Sequence, residues 1–262
     1  MAKPPTRPRP IEQTINSGHE GAEAAPAHQA QQGVGRAQVA KEGAALGNQA
    51  VAKIGGRMKL TQKLMDQGVA ELTGRDADLG RAVSEVGPPP FWKDRPGFAT
   101  LVRFVTEQSV SLAAAAAVFG RLQAAVAVTP AGLAVLSADD FRSFGYSYAK
   151  AATLAGLAAA VNDGLRIDGL AKLPDEVVSE RLTSLRGIGP WTADNYLLFA
   201  LRRSDAFPVG DIALLQAWAD LNEVAERPSQ KELLAVAEEW RPWRAVAARI
   251  LWHFYLTRRG RS

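Results

Sequence analysis

The chain has no cysteine and only three histidines among its 262 residues. Without thiols there can be no disulfide, no thiolate zinc site and no cysteine-ligated iron–sulfur cluster. His19, His28 and His253 are scattered, which argues against a catalytic zinc held by clustered imidazoles. No apolar run approaches the roughly 18–20 residues that a membrane span needs. The opening MAKPPTRPRP lacks the apolar core of a secretory signal, so a cytoplasmic setting with no membrane partner is expected. Residues 1–56 contain no aromatic side chain and are rich in Ala, Gly, Gln and Pro. Such a segment buries too little apolar surface to offset its ordering entropy, which predicts a disordered tail.

What remains is globular in composition, with 47 % hydrophobic and 22 % charged residues. A net charge of +4 permits a nucleic-acid partner without requiring one. From Trp240 onward there are six arginines (241, 244, 249, 258, 259 and 261) and no acidic residue. They read either as a solvated basic helix end or as an edge that contacts phosphates. From about Met58 apolar positions recur at three- and four-residue spacing, with little strand-like alternation. The clearest segments are 98–105, 112–126, 149–161, 176–182, 193–201, 212–221, 231–240 and 245–256. The pattern predicts an all-α fold of roughly eight to ten helices, with the alanine run 113–117 in close helix packing.

The most informative stretch runs from Leu182 to Leu221. One amphipathic helix is expected to end at Leu185 and another to begin at Pro190–Thr192, proline suiting a first helical turn. Between them Gly187 and Gly189 frame a very short turn. Without their side chains, backbone N–H groups at a helix N-terminus can approach a phosphate closely. Such a hairpin grips a nucleic-acid backbone without reading its sequence. An ordinary αα-corner is the alternative. Further on, Phe207-Pro208-Val209-Gly210-Asp211 makes a tight bend before an apolar helix. Taken alone, Asp211 reads as the N-cap of that helix.

Together these motifs resemble the helix-hairpin-helix DNA glycosylases, in which a hairpin is followed by a Gly/Pro-rich loop and an aspartate. The chain is most similar to the AlkA-type 3-methyladenine glycosylases. The resemblance covers about residues 70–257. It rests on EQSVS (107–111), GYSYAKA (145–151), LRGIGPWTA (185–193), FPVGD (207–211) and RPWRAVAARILWHFY (241–255). It implies an all-α, two-lobed helical domain over residues 57–262, with the cleft between the lobes. Asp211 would be the catalytic aspartate. Leu185, Arg186, Gly187, Ile188, Gly189, Pro190 and Thr192 would form the phosphate clamp, whose carbonyls could also hold a monovalent cation. Trp191 and Trp252 would line the pocket for the extruded base, core packing being the other reading of Trp252, while Trp243 is assigned to the core. The implied partner is damaged double-stranded DNA, bound by a monomer in a bacterial, nucleoid-associated setting. Neither a redox cofactor nor a catalytic metal is implied.

The implied chemistry is coherent. Extruding a base costs roughly a few kcal/mol of stacking, and electron-rich indoles attract a cationic alkylpurine by about 0.5–2 kcal/mol per contact. A carboxylate beside C1′ stabilises the positive charge that develops as the glycosidic bond breaks. Trp191 stands where bifunctional relatives carry a Schiff-base lysine, so hydrolysis without strand nicking is expected. The chain departs from the pattern at Ser109, where many relatives carry a bulky residue that fills the gap in the duplex. That role falls to Gln108 or Ser109, unless both cap the helix starting at Ser111. Lys150 reads as a phosphate contact or a solvated lysine. The rival functions are a glycosylase for a deaminated or oxidised base, a non-catalytic DNA-binding protein, and a helical protein scaffold.

Overall fold

The computed structural model describes residues 58–260, so the expected tail and Arg261 lie outside the described residues. Among these residues there are twelve α-helices, more than the eight to ten expected, and the one β-bridge pairs Lys59 with Arg203. They are α1 (Gln62–Arg75), α2 (Ala77–Val86), α3 (Phe98–Glu107), α4 (Leu112–Ala125), α5 (Pro130–Ala134) and α6 (Ala138–Phe144). Then follow α7 (Tyr148–Asn162), α8 (Asp175–Thr183), α9 (Pro190–Asn195), α10 (Ile212–Leu221), α11 (Gln230–Glu238) and α12 (Arg244–Arg258). A single π-turn, Tyr196–Ala200, continues α9.

The helices that periodicity underestimates are set largely by their caps. At α5, Pro130 occupies the first turn and the Thr129 hydroxyl accepts from the Gly132 N–H at 3.0 Å. At α6, Ser137 and Asp140 form a reciprocal capping box. Residues that read as breaks are therefore also starts. α5 and α6 are too short for a 3.6-residue pattern to show.

The expected two lobes are visible in the packing. In one, α12 lies against α1, α2 and α10, and α11 leans on α10, so the two ends of the described chain share a core. In the other, α3 packs on α4, α7 and α9, α5 and α6 cover α7, and α8 meets α9. Two tryptophans fix the first lobe. Trp240 and Trp243 are fully buried, with their indole N–H groups satisfied by Asp76 at 2.7 Å and Glu71 at 2.6 Å. Trp243 is thus a core residue, as its sequence context suggests. The 91–97 segment reaches the π-turn through two hydrogen bonds, Asp94 N–H to the Phe199 carbonyl and Gly97 N–H to the Tyr196 hydroxyl, each 3.0 Å.

One expectation is corrected and one open alternative is narrowed. Of the alanines 113–117 only Ala115 is buried, so the run forms an exposed helix face instead of a packing seam. The basic C-terminal stretch is not an open row of phosphate ligands either. Arg241 and Arg244 pair with Asp205 and Glu238, Arg258 with Glu85, and Arg259 with Asp220, while Arg249 is fully buried. Glu238 lies within one helical turn of Arg241, but Asp205, Glu85 and Asp220 lie far away in the sequence, where local inspection does not find them.

Candidate active site

The hairpin joins α8 to α9 as expected, although α8 ends at Thr183 and not at Leu185. Ile188 is buried and Leu185 half-buried, which anchors the turn and leaves Arg186, Gly187 and Pro190 exposed. The two glycines have different reasons to be there. Gly187 has φ +84°, and a Cβ at that position would sit 1.9 Å from Thr153 Oγ1 on α7. Both backbone and space exclude a side chain. At Gly189 a Cβ would meet nothing within 4 Å. This residue opens α9 with no side-chain cap. Pro190 has no N–H, and the Thr192 and Ala193 N–H groups donate to the Gly189 carbonyl at 3.1 and 3.2 Å, which leaves the Trp191 N–H as the open donor of the first turn. Thr192 differs from its expected place in the clamp. It is buried, and its hydroxyl accepts from the Gln108 amide at 2.8 Å.

That Gln108 amide also donates to the Gly187 carbonyl at 3.1 Å, so the EQSVS turn is fastened to the hairpin. Neither Gln108 nor Ser109 caps the following helix: the cap of α4 is Ser111, whose hydroxyl accepts from Ala114 N–H at 3.2 Å. Ser109 is exposed at the tip of the turn with φ +55°. Beyond it lies a cavity of about 300 Å³ between the 108–110 and 145–147 turns. Lys150 lines this cavity and is neither a free phosphate ligand nor a fully solvated lysine. Its ammonium donates to the Thr106 carbonyl at 2.7 Å, and partial burial lowers its pKa. None of Trp191, Trp252 or Asp211 lines the cavity.

Asp211 is where the separate motifs meet. As the Pro208–Gly210 bend ends, its Oδ1 caps α10 by accepting from Ala213 N–H at 2.9 Å and Leu214 N–H at 3.2 Å. The Trp252 indole N–H reaches the same oxygen at 3.2 Å, and the Trp191 indole N–H donates to Oδ2 at 2.8 Å. The cap reading is therefore correct and incomplete. Asp76 provides an internal comparison. It also caps a helix with Oδ1 and receives an indole N–H, from Trp240, on Oδ2. A capping aspartate with one indole is thus a structural device in this protein; two indoles converging from the hairpin and from α12 occur at Asp211.

Trp252 is largely buried and stacks on Phe199, with ring centroids 5.3 Å apart and planes at 23°. Phe199 is half-buried on the π-turn. Its position in an apolar helical run reads as ordinary core, and only the long-range stack reveals it. Near the hairpin, burial raises the Asp194 carboxyl to about 7, opposed in part by the Arg244 charge. Among the described residues no group of three or more His, Asp or Glu side chains could hold a metal ion. The hairpin turn offers carbonyl oxygens only. Those of Leu185 and Gly187 each accept one hydrogen bond and keep a second lone pair, a donor set that fits a weakly held monovalent cation.

A helical protein with a Gly-x-Gly hairpin and an aspartate at the start of the next long helix defines a class. The chain belongs to the HhH-GPD superfamily of base excision DNA repair proteins, whose family model matches residues 102–242. Among individual relatives, DNA-3-methyladenine glycosylase 1 of Schizosaccharomyces pombe is 30 % identical over 190 residues, covering 69 % of this chain and 83 % of that protein. Bacillus subtilis YfjP is 33 % identical over 124 residues, 47 % of this chain and 43 % of YfjP, so the match spans less than half of that relative. Among solved structures, the Schizosaccharomyces pombe 3-methyladenine DNA glycosylase Mag1 in complex with abasic DNA has a TM-score of 0.65. Its sequence identity is 28 %, over 74 % of this chain and 97 % of Mag1.

Proposed function

We propose that this protein is a monofunctional DNA glycosylase that hydrolyses the N-glycosidic bond of alkylated purines of the 3-methyladenine type in double-stranded DNA, acting as a monomer. The observation that carries the reading is the convergence of Trp191 and Trp252 on the two oxygens of Asp211. Two indoles beside a fixed carboxylate form a setting for an electron-poor alkylated base, whose ring they can face. Asp211 then lies against the sugar and stabilises the oxocarbenium-like charge as the bond to the base breaks. Its four N–H donors hold it in place without competing acceptors. Water adds to C1′, leaving an abasic site and the free base. The hairpin, through Arg186, Gly187, Gly189 and Pro190, is the phosphate clamp, with Leu185, Ile188 and Thr192 as its internal anchors. A monovalent cation on the turn carbonyls would add positive charge beside that phosphate. Gln108, tied to the hairpin, and Ser109, at the exposed tip, border the gap in the duplex.

Trp191 leaves the hairpin without the amine that a Schiff-base mechanism needs, so no strand nicking is expected. The test is single-turnover excision on duplex oligonucleotides carrying a methylated purine, 1,N6-ethenoadenine, hypoxanthine or uracil, with and without alkali. Release of the alkylated base, with strand breaks appearing only after alkali, is the expected result. Release of a deaminated base alone would move the specificity, and binding without any release would leave a DNA-binding protein.

A further inference from the structure

Arg249 is a cation that none of the chemistry above uses. It is completely buried on α12, and among the described residues no carboxylate pairs with it. Its guanidinium donates to backbone carbonyls instead: Ala245 at 2.8 Å, and Trp92 and Leu198 at 3.1 Å each. Burial lowers its pKa to about 9, which leaves it protonated at neutral pH. An unpaired buried charge is costly, and the three carbonyls offset part of that cost.

The place where it acts is specific. The π-turn Tyr196–Ala200 releases carbonyls from the regular helical ladder. The Leu198 carbonyl is taken up by Arg249, and the Phe199 carbonyl by Asp94 N–H. Arg249 also lies over the Phe199 ring, 5.3 Å from its centroid, and Trp252, one helical turn further along α12, stacks on that ring. One side chain therefore grips both the backbone and the ring that support Trp252.

We propose that Arg249 is a positioning residue for the base pocket: by bracing the π-turn and Phe199 it holds Trp252 where its indole N–H meets Asp211. This rests on the glycosylase reading, in which Trp252 faces the extruded base.

The experiment measures single-turnover excision, affinity for an abasic-site duplex and near-ultraviolet circular dichroism on the same full-length preparations. Arg249→Met should slow excision by about 10²-fold, the scale of a misplaced active-site group. Affinity for the abasic duplex, set by the hairpin, should stay at the wild-type level. The aromatic dichroism of the Phe199–Trp252 stack should weaken. In a Phe199→Ala background Arg249→Met should add less than its loss in the wild type, because the ring is one of the two supports through which the arginine acts. Arg249→Lys serves if the Met variant does not fold. It keeps the charge but lacks the planar fork for three carbonyls, and should slow excision by about tenfold. Wild-type rates in a folded Arg249 variant, or losses that multiply in the double variant, overturn the inference. So does unchanged aromatic dichroism, whether or not any base is released. A wild-type protein silent on every lesion overturns the glycosylase reading instead.

Discussion

At the scale of single residues, Asp211 and Asp76 share a geometry, and the comparison isolates what is particular to the site. Both cap a helix through Oδ1 and accept an indole N–H on Oδ2. Replacing either with Asn keeps the capping oxygen but turns an amide N–H₂ toward the indole N–H. A buried donor without an acceptor costs roughly 1–3 kcal/mol. Asp211→Asn and Asp76→Asn should therefore lose similar stability in denaturant unfolding. Excision should fall at least about 10²-fold for Asp211→Asn, since a preorganised charge at the reacting carbon is lost, and stay at wild type for Asp76→Asn. Equal activity in the two variants would reduce Asp211 to a cap.

At the scale of elements, the hairpin separates two kinds of glycine that the sequence presents as equivalent. Gly187→Ala forces a left-handed residue and a contact with Thr153, and should cost roughly 2–4 kcal/mol. Gly189→Ala meets open space and should cost only about 0.5–1 kcal/mol as a poorer cap. Yet it should weaken binding to duplex DNA of any sequence, because its methyl group stands where a phosphate would approach the first turn of α9. Thermal melts beside DNA titrations check this, and tight binding by Gly189→Ala would remove the hairpin from the proposed interface. The same element marks the limit of legibility. The turn, the proline start of α9 and the FPVGD bend are local, and glycine and proline announce them directly. The bond from Gln108 to Gly187 and Thr192 is not announced, because it joins residues far apart in sequence. Phe199 and Arg249 are hidden for a related reason. An aromatic in an apolar run and an arginine in a basic run look ordinary until folding stacks one on the other.

At the scale of the whole molecule, the lobes are held by contacts that also set its response to pH. The C-terminal arginines satisfy acids on α2, α10, α11 and the loop before the FPVGD bend. Burial raises three carboxyls: Glu107, Asp175 and Asp194. Burial raises Asp194 to about 7, and it raises Asp175 to about 6 even though Arg203 lies 2.8 Å away. Their ordinary value is 3.8, so between about pH 4 and pH 7 the folded state holds protons that the unfolded chain has released. Stability must then fall as pH rises through that window. The groups held below their ordinary values, Asp140, Asp168, Glu232 and Glu238, are exposed, and what they contribute is lost only in more acidic solution. The melting temperature should therefore be higher at pH 5 than at pH 8. Asp194→Asn removes the most strongly raised of these carboxyls while leaving Arg244 its partners Asp205 and Glu238. It should gain on the wild type progressively from pH 4 to pH 7, raising the melting temperature at pH 8 by roughly 2–4 °C for each kcal/mol recovered. A gain that does not grow with pH would mean that Asp194 titrates as an ordinary carboxylate and that the decline at high pH arises elsewhere.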